Sequence, residues 1–140
     1  MNKVLNYILL FSSLIFFNSC GDGSCNVVPS VSVYSQLSQG SNPEAFVVGG
    51  SATLAGGVSG ILVCCSSMTG INYNFIAYDR CSTVNPEERN QVILKDAYTI
   101  QDPVSGAEWL LVDGSPAKNA TCPLKPYIVT RVGSIYYVQN

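Results

Sequence analysis

The fold is decided by an alternating stretch at residues 71–78, which reads Ile71-Asn72-Tyr73-Asn74-Phe75-Ile76-Ala77-Tyr78. Every second side chain in it, starting from Ile71, is apolar, while the positions between are mixed. Successive side chains of a β-strand point to opposite faces of a sheet, so a period of two is typical of a half-buried strand. The stretch therefore predicts a strand and not a helix.

Further apolar stretches recur along the chain with turn signals between them. They lie at residues 27–33, 46–48, 58–65, 73–78, 91–94, 98–101, 108–112, 127–132 and 135–138. Asp113-Gly114 and Gly133-Ser134 stand where tight hairpins place residues of positive φ, and residues 86–89 support one short helical turn at most. The pattern predicts a small all-β antiparallel sandwich or barrel, in one domain over residues 27–140.

Composition narrows the classes of function. Of the 140 residues, 47% are apolar, which is enough for a buried core and argues against disorder. Only 11% are charged and the net charge is -2, so no basic surface for nucleic acid is expected. Histidine is absent, which removes the commonest general base. Glu87 and Glu88 are adjacent, so their carboxylates diverge, and we expect a protein that is not an enzyme.

The first 20 residues are typical of an export signal. Lys3 precedes a broken apolar run at residues 4–17, and the run ends in Phe17-Asn18-Ser19-Cys20, which resembles the lipobox of a bacterial lipoprotein. The resemblance implies a signal peptide at residues 1–19, lipidation of Cys20 and a lipidated tether over residues 20–26. The protein is then an outer-membrane lipoprotein of the cell envelope, facing the periplasm or the cell surface. The alternative is an ordinary secretory signal that leaves Cys20 as a thiol.

Residues 57–140 resemble the Rieske iron–sulfur domain, as found in lipoproteins of Bacteroidetes-type bacteria. Four segments carry the resemblance: the Gly-rich turn and strand at 57–63, Phe75-Ile76-Ala77-Tyr78-Asp79-Arg80-Cys81, the loop and hairpin at 102–116, and the final loop and hairpin at 122–138. The resemblance implies a β fold with two loops that converge at one end. It also implies that Trp109 packs in the core beneath the second loop.

The ligands that the family uses for its 2Fe-2S cluster are mostly replaced in this chain. A Rieske centre is held by two cysteines and two histidines, supplied as C-x-H and C-x-x-H. Cys81 stands at the first cysteine position and Thr83 at the first histidine position, while Asp102 and Ser105 occupy the second pair. Hydroxyl groups are poor substitutes for imidazole on iron. We therefore expect no cluster, no other cofactor and no metal.

The remaining cysteines suggest one disulfide. The resemblance implies that residues 115–124 fold back over the two loops, which would bring Cys122 near Cys81 and allow a disulfide to brace the vacated site. The alternative is two unrelated thiols. Cys64 and Cys65 follow an apolar run, and we expect them to be buried thiols on opposite faces of a strand.

Three interpretations of function remain open. The first is a non-catalytic binding or structural module, held to the membrane by its lipid, with a protein or glycan partner. The second is a redox protein whose cysteines bind a cluster or exchange disulfides. The third is a plain β-sandwich adhesin or surface component whose Rieske resemblance is a coincidence. Absorbance and metal content distinguish the first two.

Overall fold

The computed structural model describes residues 24–140, and within them the chain forms ten β-strands and two 3-10 helices. The elements are β1 (Tyr34–Leu37), a 3-10 helix (Pro43–Ala45), β2 (Ser51–Leu54), β3 (Ile61–Thr69), β4 (Asn72–Asp79), a 3-10 helix (Pro86–Glu88), β5 (Ile93–Leu94), β6 (Thr99–Gln101), β7 (Glu108–Leu110), β8 (Pro116–Lys118), β9 (Pro126–Val132) and β10 (Ile135–Gln139). The predicted all-β antiparallel class is confirmed. The predicted signal peptide, Cys20 and the first part of the tether lie outside the described residues.

Six strands form the larger sheet, in the order β1-β10-β9-β4-β3-β2, and every pairing is antiparallel. The sheet curls into a half-barrel. Its two edges approach each other where Ser35 Oγ on β1 donates a 2.6 Å hydrogen bond to the carbonyl oxygen of Ala55, just after β2. The curl therefore encloses an interior for apolar side chains.

The smaller sheet has four short strands in the order β5-β6-β7-β8. It packs against the outer face of the β3–β4 hairpin, so the part of this hairpin formed by residues 61–65 and 75–79 is covered on both faces. The continuous apolar run that opens β3 follows from this position, because Ile61 and Val63 face the half-barrel interior while Leu62 and Cys64 face the smaller sheet.

The alternation in β4 divides its side chains between two hydrophobic clusters. The first cluster fills the half-barrel and includes Ala77, with Tyr73 and Phe75 packed against it. The second cluster lies between the sheets and includes Tyr78, with Ile76 packed against it. The period of two that predicted a strand is thus confirmed, and each face has its own core.

The predicted turns agree with the structure better than the predicted edges of the sheets. Gly133-Ser134 joins β9 to β10, Asp113-Gly114 lies between β7 and β8, and the predicted helical turn is the second 3-10 helix. Residues 27–33 and 46–48 were expected to be strands and are not, whereas β1, β2 and β8 were not expected.

In the described part of the chain, no helix combines the length and the apolar character needed to cross a bilayer.

Candidate functional site

Three loops meet at one end of the molecule, which we call the loop end. They are residues 82–86, 102–107 and 119–124. Thr83 Oγ1 donates a hydrogen bond to the carbonyl oxygen of Cys122 over 2.8 Å, and Trp109 Nε1 donates to the same oxygen over 2.8 Å. Trp109 is fully buried, as expected for a core residue. The loop end contains the positions at which the sequence predicted a degenerate cluster site.

The side chains of Cys81 and Thr83 both contact backbone carbonyl groups of the protein. The Cys81 side chain is fully buried, and its Sγ lies 3.5 Å from the carbonyl oxygen of Pro86. Burial raises the pKa of the Cys81 thiol above its ordinary value. The single hydroxyl proton of Thr83 is given to Cys122. Cys81 is therefore a thiol at neutral pH.

Asp102 and Ser105 are bonded to each other. Ser105 Oγ donates to Asp102 Oδ2 over 2.7 Å, and the backbone N–H of Val104 donates to Asp102 Oδ1 over 2.8 Å. Burial by itself raises the pKa of this carboxyl group, but the hydrogen bonds from Ser105, Val104 and Ser82 outweigh it, so the pKa of Asp102 lies below its ordinary value. Because Ser82 follows Cys81 directly, this contact joins the first two loops.

These four positions do not fit the 2Fe-2S cluster that the resemblance implies. Such a cluster needs thiolate and imidazole ligands that converge on two irons. The structure offers one buried protonated thiol at Cys81, two hydroxyl groups and a carboxylate, and the hydroxyls of Thr83 and Ser105 are already engaged. Among residues 24–140, no group of three or more Cys, Asp or Glu side chains is arranged to hold a metal ion.

The disulfide of the loop end differs from the predicted one. Cys122 is bonded to Cys25, with their Cα atoms 5.1 Å apart, while Cys81 is a free buried thiol. The expected Cys81–Cys122 disulfide is therefore wrong, although residues 119–124 do lie over the loop that follows Cys81. Cys25 falls within the predicted tether over residues 20–26, for which the sequence predicts no fixed contact with the domain. Cys64 and Cys65 are free and buried, as expected.

A lysine fastens the segment that follows Cys25. Lys125 Nζ donates hydrogen bonds to the carbonyl oxygen of Pro29 and to Ser30 Oγ, each over 2.9 Å, and approaches the carbonyl oxygen of Val28 at 3.4 Å. The Val28 side chain is itself buried. The end of the predicted tether is thus held against the loop end by a covalent bond and by these contacts.

A buried carboxylate organises the chain at the end of β4. Asp79 accepts hydrogen bonds from the backbone N–H groups of Val58 (2.6 Å), Ser59 (3.2 Å) and Cys81 (2.8 Å), and from Tyr127 Oη (2.7 Å). Burial and this bond to Asp79 raise the pKa of Tyr127.

The same carboxylate explains a glycine. Gly57 has a φ of +64°, and a Cβ there would lie 2.4 Å from Asp79 Oδ2. The pair Gly56-Gly57 before a strand was the one signal of a close approach.

A concavity of about 330 Å³ opens at the opposite end of the half-barrel, and we call it the barrel mouth. Its lining consists of Asn72, Tyr73, Asn74, Phe75, Val129, Arg131 and Tyr136. Arg131 donates to the side-chain oxygen of Asn72, and the backbone N–H of Tyr73 donates to Tyr136 Oη over 3.0 Å. Aromatic walls with amide and guanidinium groups at the rim are able to bind a small polar ligand.

A second concavity, of about 490 Å³, lies between the two sheets. Its walls include Val48, Cys65, Ile76, Tyr98 and Val112. Val48, Tyr98 and Val112 are exposed. This cleft is almost entirely apolar, and sequence reasoning did not find it because its residues come from five separate segments.

A scan against protein-family models and searches of curated proteins and of solved structures found no match for this chain.

Proposed function

We propose that this chain is a lipid-anchored protein of the bacterial cell envelope that serves as a non-catalytic binding or structural module. In this proposal Cys20 carries the lipid and the domain is a Rieske-like fold that has lost its cluster. The observation that carries the proposal is the internal use of the cluster positions, since Thr83, Asp102 and Ser105 direct their polar atoms at one another or at Cys122.

The thiols argue against a role in redox exchange. Burial raises the pKa of Cys64 to about 12 and raises the pKa of Cys65 and Cys81 as well. Thiolates are the reactive form in disulfide exchange, so thiols that remain protonated and buried are poor nucleophiles. A stable structural role for these side chains is consistent with their positions in the core.

The disulfide argues for an exported protein. Disulfides persist in the periplasm and at cell surfaces, and they are rare where thiols are kept reduced. The Cys25–Cys122 bond closes almost the whole described domain, since the two cysteines are 97 positions apart in sequence. This agrees with the export signal that precedes the domain.

Anchoring is tested by expressing the full chain in a bacterium that matures lipoproteins. We expect wild type to incorporate labelled fatty acid and to fractionate with membranes. The matched Cys20→Ser variant is expected to do neither, because it has no thiol to acylate. Wild type that is secreted without acyl chains would show that the export signal is an ordinary one.

The absence of a cluster is tested by analysing protein produced with ample iron and without oxygen. We expect a colourless protein with neither iron nor inorganic sulfide in stoichiometric amounts. A brown protein containing both, whose colour is lost in a Cys81→Ser variant, would instead favour a redox carrier.

A further inference from the structure

We infer that the Cys25–Cys122 disulfide fixes the orientation of the anchored protein, so that the loop end faces the lipid bilayer and the barrel mouth faces away from it. The inference rests on the proposed function in one respect, the lipid on Cys20. It adds which surface of the domain lies against the membrane and which surface a partner from the aqueous phase can reach.

The first step is the point at which the anchor joins the domain. Cys25 is bonded to Cys122, whose carbonyl oxygen accepts hydrogen bonds from Thr83 and Trp109. The anchor is therefore attached within the loop end and not along the side of the half-barrel. Reinforcement comes from Lys125, which holds the backbone at Val28 and Pro29.

The second step is the length of chain between the lipid and this attachment point. Cys20 and Cys25 are five residues apart, which limits the distance between their Cα atoms to about 17 Å at full extension. Without the disulfide, the first fixed residue would be Val28, and the limit would rise to about 27 Å. The disulfide thus shortens the linker between Cys20 and the first fixed residue of the domain by about a third.

The domain is longer than the linker between Cys20 and Cys25. β4 runs from Asn72 at the barrel mouth to Asp79 beside the loop end, and eight residues of strand span about 25 Å. In an inverted domain, with the barrel mouth on the bilayer, Cys25 would lie farther from the lipid than the extended length of the linker. The short linker therefore excludes the inverted orientation and keeps the loop end next to the bilayer.

One consequence concerns access to the barrel mouth. Asn72 and Arg131 at its rim are both exposed and would lie at the membrane-distal end. The hairpin tip beside them carries Ile71, which is 83% exposed. A soluble ligand or the domain of another protein would approach this end freely, whereas the degenerate cluster positions would be screened by the bilayer.

The orientation is testable because the chain contains a single tryptophan. Trp109 lies at the loop end, so its fluorescence reports the distance from that end to the membrane. The acylated full chain is purified in detergent, reconstituted in phosphatidylcholine vesicles that contain a dansyl-labelled lipid, and measured for energy transfer. The matched variant, Trp109→Phe with Ile71→Trp, moves the donor to the opposite end.

We expect transfer from Trp109 to be roughly twofold or more efficient than transfer from the tip donor, since the two donors differ in height by about the length of β4. A second pair of proteins carries an insertion of about 20 Gly and Ser residues between Gly21 and Asp22, which lengthens the linker without altering the domain. In that pair the difference between the two donors is expected to disappear.

Two results would overturn the inference, and they differ in what else they overturn. An acylated chain without the insertion whose tip donor transfers as well as Trp109 would refute the orientation alone. A chain that carries no acyl group at Cys20 would refute the proposed anchoring and the orientation together.

Discussion

The two faces of the β3–β4 hairpin are packed in different ways. The face toward the half-barrel meets hydrocarbon and aromatic rings, with Phe46 at the centre of edge-to-face contacts to Tyr73, Phe75 and Tyr136. The face toward the smaller sheet is also held by hydrogen bonding, since Tyr78 Oη donates to the carbonyl oxygen of Leu111 over 2.9 Å. One interface is held mainly by buried area and the other is also positioned by a few directed bonds.

This difference suggests how each interface responds to substitution. Apolar contacts are spread over many atoms, so a loss of volume is the damaging change. A directed bond is localised, so removing one atom changes the position or mobility of one loop. The four predictions below test this contrast, in order of expected effect.

Asp79→Ala is expected to have the largest effect, about 4 kcal/mol of the free energy of unfolding. Asp79 ends β4 beside the loop end, and its removal leaves the N–H groups of Val58 and Cys81 and the hydroxyl of Tyr127 without their acceptor. Denaturant unfolding measures the loss. Should the variant fail to fold, Tyr127→Phe removes one of the four donors and is expected to lose about 1 kcal/mol.

The matched control is Asp113→Ala, because Asp113 also caps a turn by accepting from the residue two positions later, Ser115, but is exposed. We expect a much smaller loss there. Equal losses in the two variants would show that the Asp79 network contributes no more than an ordinary surface turn.

The central strands could be predicted because their neighbours bury them. β3 and β4 are covered on both sides, so their apolar pattern is strong, whereas β1 and β2 are the edges of the larger sheet and are short. In β1, Tyr34 and Gln36 are exposed, and the sequence there carries little pattern. β8 begins with Pro116, which is tolerated at the start of an edge strand but is read as a turn in sequence.

The segment at residues 27–33 was mistaken for a strand for a related reason. Val31 and Val33 alternate with serines, and Val28 and Val33 are buried, yet the backbone bonds of the segment go to side chains and not to a neighbouring strand. Lys125 Nζ donates to the carbonyl oxygens of Val28 and Pro29, and Asn140 Oδ1 accepts a hydrogen bond from the N–H of Val33. A pattern of burial alone does not distinguish these two ways of satisfying a backbone.

The disulfide at the loop end could not be predicted from the sequence. Residue identity shows that Thr83 and Ser105 carry hydroxyl groups, but it does not show which cysteine pairs with Cys122. The partner of Cys122 depends on where the segment before residue 27 returns, and no local signal marks that return. Only the folded chain shows Cys25 beside Cys122.

Phe46→Ala is expected to lose about 3 kcal/mol of stability, because it removes a buried ring and leaves a cavity among three other rings. Phe46→Leu, which keeps much of the volume, is expected to lose about 1 kcal/mol. The neighbouring exposed Val47 provides the control, since Val47→Ala removes no buried contact. If Phe46→Leu is as damaging as Phe46→Ala, edge-to-face geometry contributes more than volume, and the contrast between the two faces weakens.

Alkaline pH is expected to weaken the interface with the smaller sheet. The thiol of Cys64 has a pKa of about 12 in the folded protein, whereas an unfolded thiol ionises near pH 8.5. Between these values the unfolded state loses the proton and the folded state keeps it, so stability falls as pH rises, by about 3 kcal/mol from this group by about pH 11. Burial raises the pKa of Tyr78 to about 12 as well, which adds to the fall at higher pH.

Unfolding of wild type and of Cys64→Val at about pH 8 and about pH 11 measures this contribution. We expect the variant to have the shallower dependence on pH, because valine keeps the packing and has no proton to lose. An identical slope for wild type and Cys64→Val would mean that the thiol titrates alike in the folded and unfolded states.

Tyr78→Phe is expected to have the smallest effect on global stability, about 1 kcal/mol, since it keeps the ring and removes one hydrogen bond. The informative result is local. Tyr78 Oη holds the carbonyl oxygen of Leu111, and its ring lies against Gly114, where a Cβ would approach Tyr78 Cε1 to 2.7 Å. Hydrogen exchange should therefore become faster in the turn between β7 and β8 and stay unchanged in β9 and β10.

The corresponding change on the other face is Tyr136→Phe, which removes the acceptor of the Tyr73 N–H. Tyr136 is also surrounded by Phe46 and Phe75, so its ring is expected to keep its place and exchange to rise at Tyr73 alone. A wide loosening after Tyr136→Phe and a narrow one after Tyr78→Phe would reverse the contrast. The half-barrel would then be the interface that depends on directed bonds, and the smaller sheet would be held by area.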